Sequence, residues 1–156
     1  MPKFHTYETV VTWTGNQGEG TSGYKTYSRR HEISSRNKPA IPASADLAFR
    51  GDTDRYNPEE LLVASLAGCH MLWYLHLAAD SGVVVVDYHD ESVGFMQEDE
   101  NGGGKFKKVT LRPVVTITRD SDLEAALSLH QPAHRKCYIA NSVNFTVGVE
   151  PTIQRA

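Results

Sequence analysis

Two cysteines stand in this chain of 156 residues, Cys69 and Cys137, and no others. The thiolate rather than the thiol is the nucleophile of cysteine chemistry, and nearby positive charge is needed to form it at neutral pH. A thiolate that has been oxidised needs a second thiol to resolve the product, which is the economy of peroxidases and disulfide exchangers. Two lone cysteines on separate elements can supply that pair if the fold brings them together. Around Cys69 the residues Ala64, Ala67 and Gly68 are small and leave access to the sulfur. A cysteine on an apolar helix is also ordinary packing material, so position alone does not decide. Arg30 and Arg50 are the candidate cations, and each reads equally as a solvated surface arginine.

A rival constellation is a metal site. His130, His134 and Cys137 are spaced i, i+4 and i+7, which places them on one helix face. His70, beside Cys69, could add a ligand, and zinc or iron would draw on three or four such residues. Pro132 lies inside the run and weakens the helix this geometry assumes. Histidines packed or hydrogen-bonded at a subunit interface account for the same residues, and on that reading no metal is bound. His76, seven residues after Cys69, reads as structural.

Either site must be held by the stretch from Asn57 to Gly82. Asn57 is an N-cap residue, Pro58 follows at the first helical position, and Glu59 and Glu60 sit at the positive end of the helix dipole. Gly82 is a usual terminator. The span makes about six turns, roughly 36 Å. Its apolar residues, among them Leu61, Leu66, Met71, Trp73 and Leu77, fall on nearly every side, so the helix is expected to be wrapped by protein as a central rod. Ser65, His70 and His76 interrupt the run, which favours a core helix over a membrane span.

The other elements follow from alternation and turn residues. Tyr7 to Thr14 and Gly23 to Ile33 read as a hairpin around the glycine-rich turn 15–20, and Ser34 to Ala45 as a loop with Pro39 and Pro42. Ala48 to Asp52 suggests a short strand. Val83 to Met96 and Phe106 to Thr118 form an antiparallel pair, with Pro113 at an edge or bulge. A second helix is expected from Ser121 or Asp122 to about His134, bent or broken near Pro132, and a last strand from Ser142 to Val149. The order predicts an α+β domain spanning 1–156, an antiparallel sheet carrying a long central helix and a second helix.

Composition sets the context. Hydrophobic content of 40% and charged content of 22% are ordinary for a soluble globular chain. A net charge of −3 carries no polyanion footprint, so nucleic acid is not expected as a partner. Met1 to Val11 has no apolar signal core. These features predict a cytoplasmic protein whose thiols are free or redox-active rather than a structural disulfide, with no membrane partner and no cofactor.

The run Asn57-Pro58-Glu59-Glu60-Leu61, followed by small residues up to Cys69, resembles the central-helix motif of the OsmC/Ohr family, the osmotically inducible and organic-hydroperoxide-resistance proteins. Cys137 sits where that family keeps its partner thiol, and Asn141-Ser142-Val143 leads into the terminal strand. The likeness covers nearly the whole chain in length and element order. It implies an intertwined homodimer that reduces organic hydroperoxides in oxidative-stress defence. Cys69 would be the peroxidatic thiol and Cys137 the resolving thiol, closing a disulfide that an external dithiol reduces.

The resemblance also implies an arginine and a glutamate around the thiolate, and Glu59 takes the glutamate position. The first hairpin turn, Asn16 to Gly20, carries no arginine. Arg50 lies before the Asn-Pro-Glu motif, about one residue off the family spacing, and Arg30 stays as the second candidate. Ala67-Gly68-Cys69-His70 departs from the Ala-Ala-Cys-Phe type of sequence. The alternative within the same fold is a non-catalytic or metal-binding member using His130, His134 and Cys137.

Geometry adds an expectation about assembly. Glu59 and Cys69 lie ten residues apart on one helix, roughly 15 Å along it and about 80° around it, beyond the reach of a glutamate side chain. If Glu59 serves the thiolate, a bent local path or a second subunit must bring it there, and a homodimer with packed central helices and sites assembled at the interface is expected.

Overall fold

The computed structural model describes residues 1–156, which fall into two compact units, 1–61 and 62–156. In the first, strands β1 (Val10–Trp13), β2 (His31–Ser34) and β3 (Ile41–Ala43) form an antiparallel sheet in that order. Val11 opposes Ile33, and Ile33 opposes Ile41. The expected strand from Gly23 to Ile33 shrinks to its last few residues because its first part bonds to itself. Thr26 Oγ1 accepts from Gly23 N at 3.0 Å, and Thr26 N donates to Gly23 O at 3.1 Å. The proline-rich loop contributes β3, and Pro42 is tolerated there because β3 is an edge strand.

The expected strand at Ala48 to Asp52 is instead a single 3₁₀ turn, Leu47–Phe49. Asp46 caps it, accepting from Ala48 N at 2.7 Å, and Arg50 closes it in the left-handed region at φ 64°. Helix α1 (Pro58–Asp80) then starts on a reciprocal capping box. Asn57 Oδ1 accepts from Glu60 N at 2.8 Å, and Glu60 Oε2 accepts from Asn57 N at 3.2 Å.

Within the second unit, α1 runs on to Gly82, which turns the chain at φ 73°. One chain by itself does not supply the expected wrapping on all sides. One stripe is buried, Leu66, His70, Tyr74 and Ala78 at four-residue intervals, while Leu72 is 64% exposed. The helix is long and apolar enough to cross a membrane. Its buried line nonetheless carries a histidine and a tyrosine bonded to other elements of the unit, as a core helix does.

The two long strand readings each divide. Val83 to Met96 becomes β4 (Val85–Asp90) and β5 (Val93–Glu98), and Phe106 to Thr118 becomes β6 (Gly104–Leu111) and β7 (Pro113–Ile117). Asp90 holds both breaks, its Oδ1 accepting from Ser92 Oγ at 2.7 Å and from Arg112 N at 2.8 Å. Pro113 begins β7. Strands β8 (Thr146–Val149) and β9 (Thr152–Arg155) add in parallel, giving sheets of order β5-β6-β8 and β4-β7-β9. The α+β class holds, with the sheet realised as three small ones, two of them carrying a parallel edge.

The second helix is broken, into α2 (Leu123–Ser128) and α3 (His130–Lys136). Pro132 would clash with the carbonyl four residues earlier, that of Ser128, so the first helix stops there. In the first turn of α3 its missing N–H leaves nothing unsatisfied. Tyr74, Ala78, Val115, Ile117, Ala126 and Ala133 form one core, and Leu66, Val109, Leu111 and Val147 another.

Candidate functional site

Cys69, midway along α1, is half-buried, and Cys137, at the C-cap of α3, is 1% exposed; both are free thiols. The Cys69 thiol is close enough to Cys137 to act on its ionisation. Ala140 N donates to Cys137 Sγ at 3.4 Å. Burial pushes the Cys137 thiol up to about 11, the contact with Cys69 adds to this, and backbone N–H groups of Ala140 and Ile139 offset only part. At neutral pH Cys137 is therefore protonated.

His70, the residue after Cys69, faces inward with its Nε2 3.0 Å from His130 Nδ1, at the start of α3. The two rings lie 5.3 Å apart and nearly parallel, and His130 stacks on Tyr74 at 4.1 Å. Tyr74 Oη donates to Ala126 O at 2.9 Å. Burial lowers His70 to about 4, with His134 adding to the shift and Asp90 opposing it. Burial, then His70, lowers His130 to about 3. Both imidazoles are neutral. Around them His70 Nδ1, His130 Nε2, His134 Nδ1, Tyr88 Oη and Asp90 Oδ2 are buried without a hydrogen-bond partner in the chain.

This arrangement engages two of the three residues of the metal reading in other contacts. Cys137 is the C-cap of α3, its N–H donating to His134 O, and its side chain is engaged with Cys69 and Ala140 N. His130 Nδ1 is engaged by His70. No three His, Cys, Asp or Glu side chains come together as ligands for an ion. The sequence missed the histidine pair, although one signal was present: His70 occupies the same i, i+4 stripe as Leu66, Tyr74 and Ala78.

The arginines lie in the first unit. Arg30 Nη2 and Nε donate to Asp52 Oδ1 at 2.8 and 3.2 Å, and Asp52 Oδ2 accepts from Ser44 Oγ at 2.8 Å. These bonds raise the Arg30 pKa and lower that of Asp52. Arg30 is already neutralised by its own carboxylate. Arg50 holds its guanidinium 6.0 Å over Tyr24 and shares with Arg30 a polar cavity of about 420 Å³.

Glu59 is elsewhere. Because Glu60 makes the capping box, Glu59 is left to line a second cavity of about 340 Å³ with Trp13, Tyr27, His31, Phe49 and Arg29. The Arg29 guanidinium stacks 4.0 Å over Tyr27 and 4.5 Å over Tyr24, and donates to the carbonyls of both residues at 2.8 Å. The arginine that shares a cavity with Glu59 is thus Arg29, a residue the sequence reading passed over. Its spacing from Tyr24 and Tyr27 was the available signal.

A mid-helix thiol close to a second thiol, on an α+β frame of this order, is a pattern with relatives. The sequence pattern of the OsmC-like protein family matches residues 51–152, and the chain belongs to that family. An OsmC-like protein of unknown function from Vibrio cholerae has the same fold, with a TM-score of 0.86 and 32% identity over 95% of this chain and 99% of that one. An organic hydroperoxide resistance protein from Elizabethkingia anophelis superposes with a TM-score of 0.71 at 18% identity, each chain covered over 100% of its length, a likeness of fold. In sequence, the uncharacterized protein YmaD of Bacillus subtilis is 26% identical over 114 residues, 71% of this chain and 73% of YmaD.

Proposed function

We propose that this protein is a cytoplasmic thiol peroxidase that reduces organic hydroperoxides, with Cys69 as the attacking and Cys137 as the resolving thiol. The observation that carries this reading is the closeness of a half-exposed thiol to a fully buried, protonated one. A peroxide can reach the first and not the second.

The Cys69 thiolate attacks a peroxide oxygen, the O–O bond breaks, and the alkoxide leaves and takes a proton from solvent as the alcohol. Cys69 is left as a sulfenic acid. Cys137 Sγ then attacks the sulfenyl sulfur, the S–O bond breaks, and hydroxide departs with the thiol proton as water. An external dithiol reduces the resulting disulfide, becoming a disulfide itself and restoring both thiols. Arg29 and Glu59 are the cation and carboxylate this reading favours, because they share a cavity and Arg30 is engaged by Asp52.

The working form is a homodimer. Its support is the apolar surface one chain leaves uncovered: all of β1, with Val10, Val11 and Trp13, then Leu72 on α1, Val84, Val86 and Phe95. A second copy is the surface that covers it, and light scattering at micromolar concentration gives a dimer mass.

The experiment for the chemistry is mass spectrometry after stoichiometric cumene hydroperoxide, with and without a dithiol. The expected result is a loss of two hydrogens linking Cys69 to Cys137, reversed by the dithiol. A protein that leaves the hydroperoxide unconsumed overturns the reading.

A further inference from the structure

Disulfide closure asks for more than two nearby thiols. Cys137 Sγ must approach the sulfenyl sulfur of Cys69 opposite the departing oxygen, so the helix that ends at Cys137 has to be held at one rotation and one height against α1. Helix α3 is short, His130–Lys136, and its buried residues are only Ala133 and His130. Alanine presents a smooth, non-directional contact that fixes neither rotation nor height. The N···N bond from His70 Nε2 to His130 Nδ1 does fix both, because a hydrogen bond weakens steeply off its line.

The placement of this bond is specific. His70 follows Cys69 directly on α1, and His130 begins the helix that Cys137 ends, about 10 Å or two turns further on. The two imidazole planes are inclined by only 9°, as an in-plane N–H···N bond requires, and His130 stacks on Tyr74 at 20°. Tyr74 is in turn tied to α2 through Ala126 O. A buried polar pair adds little to net stability compared with apolar residues of the same shape, and its best-attested use is to select one packing among several.

We propose that the His70–His130 bond is a positioning clamp that sets α3 against α1 so that Cys137 faces Cys69, and that it governs the rate at which the disulfide closes. The inference rests on the thiol reading above and deepens it. His70 and His130 are positioning residues: neither takes part in the bond exchange, in which the Cys137 sulfur displaces hydroxide from the Cys69 sulfenic acid and the thiol proton leaves with it as water. Neutral imidazoles suit the task, since one shared N–H joins them without a buried charge. The other groups packed round the pair are Tyr74 on α1, His134 on α3, and Tyr88 and Asp90 on β4.

The test uses the full chain and three substitutions. His130→Leu deletes the bond, His130→Asn restores a polar atom near the Nδ1 position, and Tyr74→Phe loosens the same core while keeping the histidine pair. Each protein receives one equivalent of cumene hydroperoxide and is quenched at intervals, and disulfide and dimedone-trapped sulfenic acid are counted by mass spectrometry. In His130→Leu the clamp requires closure at least tenfold slower, Cys69 sulfenic acid accumulating, and oxidation of Cys69 itself within twofold of the parent. His130→Asn should recover most of the closure rate, and Tyr74→Phe should close normally despite a lower melting temperature.

Closure at the parental rate in His130→Leu overturns the clamp, as does an equal slowing in Tyr74→Phe. If His130→Leu does not fold, His70→Gln and His70→Leu decide by the same rates, since Gln keeps a polar atom near the Nε2 position. A parent protein inert to hydroperoxide but closing with diamide overturns the peroxidase reading alone, and the diamide closure rates of the variants then judge the clamp. A parent that closes with neither reagent overturns both.

Discussion

Arg30 with Asp52, in residues 1–61, and His70 with His130, in residues 62–156, are both pairs of titratable side chains at hydrogen-bond distance, 2.8 and 3.0 Å. The first pair keeps full opposite charges at the surface, where solvent screens them and the net effect on stability is small. The second is buried and carries no charge at neutral pH, because burial holds both imidazoles below their usual range. The same division extends to the neighbours. Arg29 and Glu59 line an open aromatic cavity, while Cys137 is kept protonated by burial. His70, His130 and Cys137 thus form a buried set that is neutral at pH 7, with the Asp90 carboxylate beside it. The proposed Cys69 thiolate draws no cation from these neutral histidines, and arginine substitutions test the source.

Four substitution experiments and one titration test this contrast, beginning with the largest effect. Cys69→Ser should reduce hydroperoxide turnover to background, whereas Cys137→Ser should leave a Cys69 sulfenic acid that dimedone traps. Undiminished turnover in Cys69→Ser would sink the assignment, as would an adduct found only on Cys137. Next comes the neutral core. Tyr74→Ala removes a fully buried ring, its stacking on His130 and its bond to Ala126, and should cost about 3–5 kcal/mol in urea melts. A loss below about 1 kcal/mol, the size of a single hydrogen bond, would show that the stack is not packed as described.

On the charged side, Arg29→Ala should lower kcat/KM by about tenfold or more, in the manner of a lost electrostatic partner, and Arg30→Ala by much less. The reverse order would return the role to Arg30. A mixed dimer sharpens the contrast further. Cys69→Ser and Glu59→Ala chains, each expected to be inactive alone, are refolded together, and partial activity is expected if the glutamate of one chain serves the thiol of the other. A dimer without rescue would assign Glu59 and Cys69 of each site to the same chain.

The last test is the pH dependence of stability. In the unfolded chain His70 and His130 protonate near their ordinary pKa, about 6.5, while the folded chain resists this down to about 4 and 3. The unfolded state therefore binds more protons, and stability falls as pH drops from about 6.5 towards 4. On the alkaline side an unfolded Cys137 ionises near 9 and the folded one at about 11, so stability falls again across that window. Melting temperatures should form a plateau between about 6.5 and 9. His130→Leu should flatten the acid limb, and an unchanged limb would mean that other groups set it.

The long helix was legible because everything that defines it is local: Asn57 and Glu60 at one end, Gly82 at the other, and an unbroken helical run between. The break near Pro132 was legible for the same reason. The division of the long strands was not, because it depends on Asp90 reaching Arg112 N across 22 residues. Strand β9 was missed because Thr152–Arg155 is short and weakly alternating, and is a strand only by pairing with β7. Cys69 and Cys137 could be chosen by residue type alone. Arg29 and Arg30 are adjacent and chemically identical, so only the fold separates the one beside Glu59 from the one held by Asp52.

The parallel edges have a consequence for how the chain is made. Strand β7 pairs Val114 with Thr152, and β6 pairs Lys108 with Thr146, so both sheets of the second unit wait for residues synthesised 38 positions later. At typical elongation rates of 5–20 residues per second, that interval is about 2–8 s. Through it β6 and β7 each have an open edge, the kind of edge that invites pairing with another nascent chain. The first sheet has no such delay, since its strands follow one another in sequence. Chains on one polysome therefore carry a fully paired N-terminal sheet ahead of an unfinished C-terminal half, and the added delay falls on the unit that holds both thiols.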